Sequence, residues 1–204
     1  MVYWCKPKII KEDFIMSNCA IQALKDRRSI RAYDPDRQVP EELLQEILQV
    51  AVNSPTAHNK QKYHFTVVQQ PELLEHMADL IRGVMLNGTE EQRAKASKPG
   101  YSPLHHAPTV IVITGLLDGF NVQTDCGIAA GMISAAAEHL GLGACVVGSS
   151  VFMFKTEESA QLKKTLQIPE SHSAVCTVTL GYLAGDKPAA PAKKSAEELI
   201  SYVR

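Results

Sequence analysis

The stretch "DCGIAAGMISAAAEHLGLGACVVG" (Asp125–Gly148) predicts the centre of the fold. Alanine is the strongest helix former, so the alanine-rich first part predicts a long central helix over residues 121–140. The β-branched residues near its end predict a strand over residues 144–148. Most of the run is apolar, yet it is built on Ala and Gly and contains Glu138 and His139. A buried helix followed by a buried strand therefore fits the run better than a membrane-spanning segment does.

Helical and extended patterns alternate along the rest of the chain. Helices are predicted over 18–28, 41–53, 71–83, 157–166 and, briefly, at the C-terminus, and strands over 64–69, 108–115 and 173–185. The polar residues 87–107 predict a long loop or lid with some helix. Because helices and strands are interleaved, the sequence indicates an α/β or α+β fold around a central sheet.

The composition is typical of a soluble globular protein of one domain, or at most two small ones. The 204 residues include 21 Lys and Arg against 22 Asp and Glu, a balance that argues against a dedicated nucleic-acid binder. Five widely spaced cysteines without a C-x-x-C pair indicate buried reduced thiols in a cytosolic protein. The opening "MVYWCKPKIIKEDFIM" is interrupted by charge and does not have the pattern of a signal peptide. We therefore expect a cytoplasmic protein that does not act at a membrane.

The stretch "RRSIRAYDP" (Arg27–Pro35) places three guanidinium groups around one serine. Guanidinium groups pair bidentately with phosphate oxygens and a hydroxyl adds a neutral donor, so one interpretation is a phosphate site. The other interpretation is a solvated basic edge in which Asp26, Asp34 and Asp36 are the partners of the arginines. The spacing alone does not decide between them.

Three further stretches carry groups that often contact ligands. The loop "SPTAHNKQKYHF" (54–65) is dense in hydrogen-bonding side chains, although alone it fits an ordinary polar turn better. The stretch "GLGACVVGSS" (141–150) has glycines that allow close backbone approach, but it is not a dinucleotide-binding fingerprint. The lysines of "PAKKS" (191–195) could reach a phosphate, with solvent exposure as the default. The sequence has no H-E-x-x-H or G-x-S-x-G motif, and we expect no metal site.

Together, these four stretches resemble the nitroreductase family of FMN-dependent oxidoreductases. The family opens with "RRSxRxF/Y", continues with a "SPTAxNxQ" loop and an Ala-rich helix that runs into "LGLGxxxxG", and closes with a "GYPAxxPxxPxRK" tail. This chain has "RRSIRAY", "SPTAHNKQ", "LGLGACVVG" and "GYLAGDKPAAPAKK" in the same order. The resemblance covers roughly residues 18–204. It implies an α+β fold with a mostly antiparallel central sheet flanked by helices, in a domain-sharing homodimer.

By that resemblance, the residues that bind FMN fall in the same four stretches. They are Arg27, Arg28 and Ser29 for the phosphate and ribityl chain, Arg31 for the pyrimidine edge, Ser54, Pro55, Thr56, Asn59 and Gln61 from the partner subunit, the backbone of Val147, Gly148 and Ser149 beside the ring, and Lys193 or Lys194 at the phosphate. No side chain is assigned a catalytic role, because the flavin carries the chemistry.

The function implied by the resemblance is a two-step electron transfer at one flavin face. NADH or NADPH would deliver a hydride to FMN, and a small-molecule acceptor such as a nitroaromatic or a quinone would then take the electrons. The alternatives are reductive dehalogenation or flavin breakdown on the same scaffold, a flavin-binding protein without turnover, and a structural protein without a cofactor. Lys62-Tyr63 and Val146 stand where the family often has Pro-Trp and Trp, so we expect an altered substrate pocket.

Small residues of the central helix predict the subunit interface. They are Gly127, Ala130, Gly131, Ser134 and Ala135. Small side chains let two helices approach closely, and in the family the corresponding helix lies at a two-fold interface. Residues 1–16 match no family feature, so we assign them to an N-terminal extension and residues 17–204 to the FMN-binding domain. We expect a chain that begins at Met16 to fold and bind FMN.

Overall fold

Four antiparallel strands form a single sheet in the order β1-β2-β4-β3. The computed structural model describes residues 19–116 and 121–204, so the predicted extension over residues 1–16 lies outside the described part. The strands are β1 (Tyr63–Val68), β2 (Thr109–Leu116), β3 (Gly143–Val147) and β4 (His172–Gly181). Neighbouring strands all run antiparallel, which confirms the central sheet expected for the α+β fold.

Helices flank the sheet at the positions that the sequence patterns predict. They are α1 (Cys19–Asp26), α2 (Glu41–Val52), α3 (Pro71–Leu86), α4 (Glu90–Ala96), α5 (Val122–His139), α6 (Ser159–Thr165) and α7 (Ala196–Leu199). Short 3-10 segments cover Ala57–Asn59 and Gly148–Lys155. Helix α4 is the helical part of the predicted lid, and the Thr89 hydroxyl caps it by accepting from the Gln92 N–H.

The sheet is buried on both faces. Because β2 is apolar at successive positions, Ile111 and Ile113 pack on one face with α2 and α5, while Val110 and Val112 pack on the other face with α3. Within the described ranges, no helix is both long and apolar enough to cross a membrane. The prediction of a buried central helix followed by a buried strand is therefore confirmed.

Strand β4 ends at Gly181, before the predicted end at residue 185. The backbone beyond Gly181 leaves the sheet because it pairs with a different segment: Asp34 N donates to Tyr182 O at 2.9 Å. The three cysteines that the structure describes at side-chain level, Cys126, Cys145 and Cys176, are free and buried, as predicted.

The small residues of α5 point in two directions, some into the chain and some toward open space. Ala130 and Ser134 are each 2% exposed and pack within the chain. A Cβ built on Gly127 or Gly131 would meet no atom within 4 Å, so these two glycines face open space. The prediction that all five small residues lie on an intersubunit face is therefore wrong for Ala130 and Ser134. Ala130 packs in the buried cluster that contains Ile111, and the Ser134 hydroxyl donates to Ala130 O at 2.8 Å within the helix.

The two ends of the sheet lie far apart. At one end, Gly181 of β4 pairs with Gly143 of β3; this is the Gly181 end. At the other end, Gly115 of β2 pairs with Tyr63 of β1; this is the Gly115 end, where α5 begins. Strand β4 reaches from one end to the other, and residues 173–181 span about 26 Å.

Candidate functional site

The arginine segment (residues 27–33) is docked on β3 at the Gly181 end of the sheet. Ser29 forms an isolated parallel bridge with Ala144, and Ile30 N donates to Ala144 O at 2.9 Å. A Cβ at Gly143 would lie only 2.7 Å from Ile30 Cγ2, so the glycine permits this close approach. The segment therefore behaves as a short added strand with a fixed position.

Further hydrogen bonds fix the far end of the arginine segment. The Tyr33 hydroxyl donates to Ile30 O at 2.7 Å and shares a 2.8 Å hydrogen bond with Thr179 Oγ1. Burial raises the pKa of Tyr33 strongly, so its hydroxyl stays protonated at neutral pH. The arginines therefore stand on a rigid base.

The acidic neighbours do not neutralise these arginines. Asp26 instead accepts from Gln22 Nε2 at 2.7 Å, and Asp34 Oδ1 accepts from Asp36 N at 3.0 Å. Among residues 19–116 and 121–204, the ion pairs to carboxylates involve other side chains. The solvated basic edge with aspartate partners, left open by the sequence, is not what the structure forms.

The three guanidinium groups differ in how far they are already engaged. Arg28 Nη1 donates to Lys25 O and Arg27 O, both at 2.9 Å, at the C-terminus of α1. Arg31 is exposed and makes one long contact, from Nη1 to Ser29 O at 3.4 Å. Arg27 is half-buried, and its guanidinium has no hydrogen bond in the described part of the chain. Much of the donor capacity of this cluster is therefore available to an anion.

The loop over residues 54–61 is held in a strained conformation. His58, Asn59 and Gln61 have φ angles of 52°, 52° and 49°, in the left-handed region that non-glycine residues seldom adopt. Gln61 N donates to Thr56 Oγ1 at 3.1 Å, and Gln61 Nε2 donates to Asn59 Oδ1 at 2.9 Å. Backbone strain of this kind concentrates at functional sites.

Asp125, which no sequence motif singles out, anchors this loop. Ala57 N donates to both carboxylate oxygens of Asp125, at 3.2 Å and 3.3 Å. The Asp125 side chain lies in the first turn of α5 and is only 7% exposed as a residue. A carboxylate inside a mostly apolar helix was the signal that could have identified it, because a buried charge requires partners.

Ser54 carries a buried hydroxyl at the start of the same loop. The residue is 6% exposed, and its Oγ makes no hydrogen bond within the described ranges. A buried polar atom left unpaired costs about 1–3 kcal/mol, so such atoms in native proteins are usually paired with a ligand, a water or another chain. Pro55 follows Ser54 and is exposed.

The third stretch lies at the end of β3, where the strand gives way to a 3-10 segment. Val147 is buried, Ser149 is half-buried, and Gly148 is exposed, so that a Cβ added there would meet no atom within 4 Å. Ser150 Oγ donates to Val147 O at 2.7 Å and so fixes the turn. The backbone at Gly148 is therefore open to close approach by a flat ligand.

Lys193 and Lys194 lie in an exposed tail that follows β4. Within the described ranges, neither lysine forms a hydrogen bond with the arginine segment, although the tail starts beside it: Ala184 N donates to Ala32 O at 3.2 Å. Lys187 forms an ion pair with Glu138 of α5 and directs the first part of the tail along that helix.

The predicted binding residues of one chain do not form one site. The arginine segment, with Ala144, lies at the Gly181 end of the sheet, while the loop over 54–61 lies beside α5 at the Gly115 end. The length of β4 separates them by about 26 Å. A ligand that touches both stretches must therefore take them from two copies of the chain.

The charge of Arg31 acts on two residues that no sequence motif singles out, His105 of the 87–107 segment and Cys145 of β3. The pKa of His105 is lowered to about 4, first by burial and then by the charges of Arg31 and Lys95. Burial also raises the pKa of the Cys145 thiol, while Arg31 and a hydrogen bond with Ser29 act in the opposite direction. The positive φ of 59° at His105 cannot be read from the sequence.

A family model, a curated relative and a solved structure that resemble this chain are all described as nitroreductases. The family model described as "Nitroreductase family" matches residues 24–182. A Methanothermobacter thermautotrophicus protein provisionally named an NADH dehydrogenase/NAD(P)H nitroreductase is 33% identical over 170 residues, 80% of this chain and 77% of the relative. A Bacteroides fragilis nitroreductase with bound FMN superposes with a TM-score of 0.84 at 27% identity, covering 92% of this chain and 100% of that one. An iodotyrosine deiodinase of Haliscomenobacter hydrossis is 29% identical over 182 residues, 80% of this chain and 78% of the relative.

Replacing Asp125 tests its role as the anchor of the loop. Asp125→Ala leaves the Ala57 N–H unpaired, so we expect the free energy of unfolding to fall by about 2 kcal/mol and the amides of residues 54–61 to exchange faster. Asp125→Asn keeps one acceptor oxygen, so its free energy of unfolding should fall less than that of Asp125→Ala. Urea denaturation and hydrogen exchange measure both effects. Unchanged exchange in the loop of Asp125→Ala would contradict the assignment.

Proposed function

Because the chain belongs to the Nitroreductase family, we propose that it is an FMN-dependent oxidoreductase that uses NADH or NADPH to reduce a small acceptor such as a nitroaromatic or a quinone. The observation that carries the proposal is the docked cluster of arginines, which forms no ion pair with a carboxylate in the described part of the chain. When bound, FMN supplies the redox chemistry, taking a hydride from the nicotinamide and returning electrons to the acceptor. The free buried thiols also favour a reducing compartment, the cytoplasm.

The FMN phosphate is assigned to the start of the arginine segment. The half-buried Arg27 guanidinium has donors to spare, Arg28 lies next to it, and the Ser29 hydroxyl adds a neutral donor. Lys193 or Lys194 would bring a further cation to the phosphate dianion. Several cations around one phosphate are favourable because each charge-assisted hydrogen bond contributes about 1.5–3 kcal/mol.

The flavin ring is assigned to the surface between Arg31 and the end of β3. The open backbone from Val147 to Ser149 would lie against the ring, and the exposed Arg31 would contact its pyrimidine edge. A fixed positive charge there stabilises the negative charge that the ring gains on reduction. This chain therefore contributes orientation and charge to the reaction.

The second half of each site would come from a partner copy of the chain. Ser54, Pro55, Thr56, Asn59 and Gln61 lie too far from the arginine segment of their own chain to share its ligand. The unpaired Ser54 hydroxyl and the strained loop fit residues that are completed by a neighbour's FMN. A two-fold homodimer would then hold two equivalent sites.

Exposed apolar groups support the homodimer. Ile128, next to Gly127 in α5, is 38% exposed, and Leu24 of α1, a helix that contacts α5, is 60% exposed. Four large apolar side chains near the C-terminus are also exposed: Leu199, Ile200, Tyr202 and Val203. Burying exposed apolar side chains in a subunit interface is favourable, because it removes apolar area from water.

The first test is a spectrum followed by a nicotinamide oxidation assay. The purified protein should be yellow, with about one FMN per chain, and should oxidise NADH or NADPH when a nitroaromatic or a quinone is added. FMN binding without oxidation would indicate a flavin-binding protein without turnover. Colourless protein that also fails to take up added FMN would contradict the proposal. Iodotyrosine can be assayed beside the nitroaromatic, because a deiodinase is among the more distant relatives.

Arg27→Ala tests the assignment of the phosphate. The loss of a charge-assisted contact should weaken FMN binding at least tenfold, since it removes about 1.5–3 kcal/mol. Riboflavin lacks the phosphate, so its affinity should change far less. Lys25→Ala, an exposed cation in the adjoining helix, is the matched control. Equal losses of FMN and riboflavin affinity in Arg27→Ala would show that Arg27 does not contact the phosphate.

Gly131→Leu tests the interface. The single chain has room for the new side chain, so the substitution should weaken only the dimer, by about 1–3 kcal/mol through overpacking, and should release FMN. Gly83→Leu is the matched control, because Gly83 of α3 also faces open space. Light scattering and flavin quantitation measure both variants. A Gly131→Leu monomer that retains all its FMN would refute the shared site.

A further inference from the structure

A cleft of about 590 Å³ runs along α3, on the face of the sheet opposite α5. Volumes of about 300–1,000 Å³ are typical of small-molecule sites. One wall of the cleft is a single side of α3 from Pro71 to Arg82, about 16 Å of helix. The other wall is the segment over residues 100–108, and residues 35–38 with Gln69 complete the lining. None of the residues assigned to FMN lines this cleft.

Hydrogen bonds hold the second wall in one shape. His106 Nε2 lies 3.1 Å from Gly100 O, and His105 N donates to Ser102 O at 3.0 Å. The φ angles of Gly100 and His106 are 69° and 51°, so the backbone turns sharply on both sides of this wall. Leu104, between the turns, is 2% exposed and packs in the same buried cluster as α3. The cleft is therefore formed before a ligand arrives, which lowers the entropic cost of binding.

The floor of the cleft is apolar and contains one buried hydroxyl. Leu74, Leu104 and Ala107 are buried lining residues. Ser102 is 9% exposed, and its Oγ accepts from Leu104 N at 3.3 Å. A hydroxyl has two lone pairs and one proton, so Ser102 retains hydrogen-bonding capacity toward a ligand.

The rim of the cleft is acidic. Asp36, Glu75 and Asp79 are exposed lining residues, and in the described part of the chain their carboxylates form no ion pair or hydrogen bond. Arg82 also lines the cleft, and its Nε donates to a backbone carbonyl at 2.9 Å. The three carboxylates outweigh Arg82 even with His106 protonated. The resulting negative potential attracts a cation.

We propose that this cleft is a second ligand site, for an organic cation with an apolar body, such as an alkylammonium or arylalkylammonium ion. The body would cover the apolar floor, and the ammonium group would lie at the rim beside Glu75 and Asp79, which are about one helical turn apart. A neutral ligand would gain only the apolar contacts, and an anion would be repelled. The proposal goes beyond the oxidoreductase function and does not rest on it.

Three probes with one body and different charges test the proposal: 4-phenylbutylamine, 4-phenylbutanol and 4-phenylbutanoate. Each is titrated at low ionic strength into the isotope-labelled full-length protein, and amide chemical shifts give both the Kd and the location of binding. The amine should bind about fivefold more tightly than the alcohol, and the carboxylate should bind most weakly. The largest shifts should fall in residues 71–82 and 100–108. An amine that binds no more tightly than the alcohol, or that shifts only other residues, would overturn the proposal.

Variants separate the rim charges from general effects. Glu75→Gln combined with Asp79→Asn should reduce the preference for the amine to about twofold or less, without changing the Kd of the alcohol. Glu41→Gln combined with Glu42→Gln is the matched control, because it removes two exposed carboxylates from α2 on the other face of the sheet and should keep the preference. Ala78→Phe fills the cleft and should weaken the binding of both probes. The cation site is refuted if the preference survives the first double variant or falls equally in the control.

Discussion

The rest of the site depends on one backbone pairing, in which Ile30 N donates to Ala144 O at the edge of the sheet. This hydrogen bond, with the Ser29 bridge beside it, fixes a short segment that carries three arginines. Gly143 permits the pairing because it has no side chain to collide with Ile30. The guanidinium groups are thus presented by a rigid element, which lowers the entropic cost of binding an anion.

The length of the sheet imposes the second constraint. A rigid four-stranded sheet holds the arginine segment at its Gly181 end and the strained loop over 54–61 at its Gly115 end. Neither half can move to the other without disrupting β4 or α5. Two copies related by a two-fold axis can bring unlike ends together, and they then create two sites at once. The open face of Gly127 and Gly131 gives such a partner a place to approach.

Periodicity and composition predicted most of the fold. The alanine-rich run predicted α5, the β-branched and apolar runs predicted the four strands, and the composition of 87–107 predicted a lid with some helix. These features are local, so the sequence contains them directly. The end of β4 was misplaced because the pairing between Asp34 and Tyr182 depends on tertiary structure.

The candidate site was only partly predictable, because its contacts also depend on tertiary structure. Asp26 and Asp34 were suggested as partners of the arginines because they are close in sequence, yet each accepts a different donor. Asp125 was missed, since its partner, Ala57 N, is distant in sequence.

A mixed dimer tests the shared site most directly. One chain carries Arg27→Ala, and the other carries Asn59→Gly with Gln61→Gly, glycine being compatible with the positive φ at both loop positions. Two different affinity tags isolate the heterodimer, and its FMN content is compared with that of each variant homodimer. If each site takes its arginines from one chain and its loop from the other, the heterodimer has one undamaged site and binds about one FMN per dimer with wild-type affinity. If each site lies within one chain, both sites are damaged, and a heterodimer that binds FMN no better than the variant homodimers would contradict the shared site.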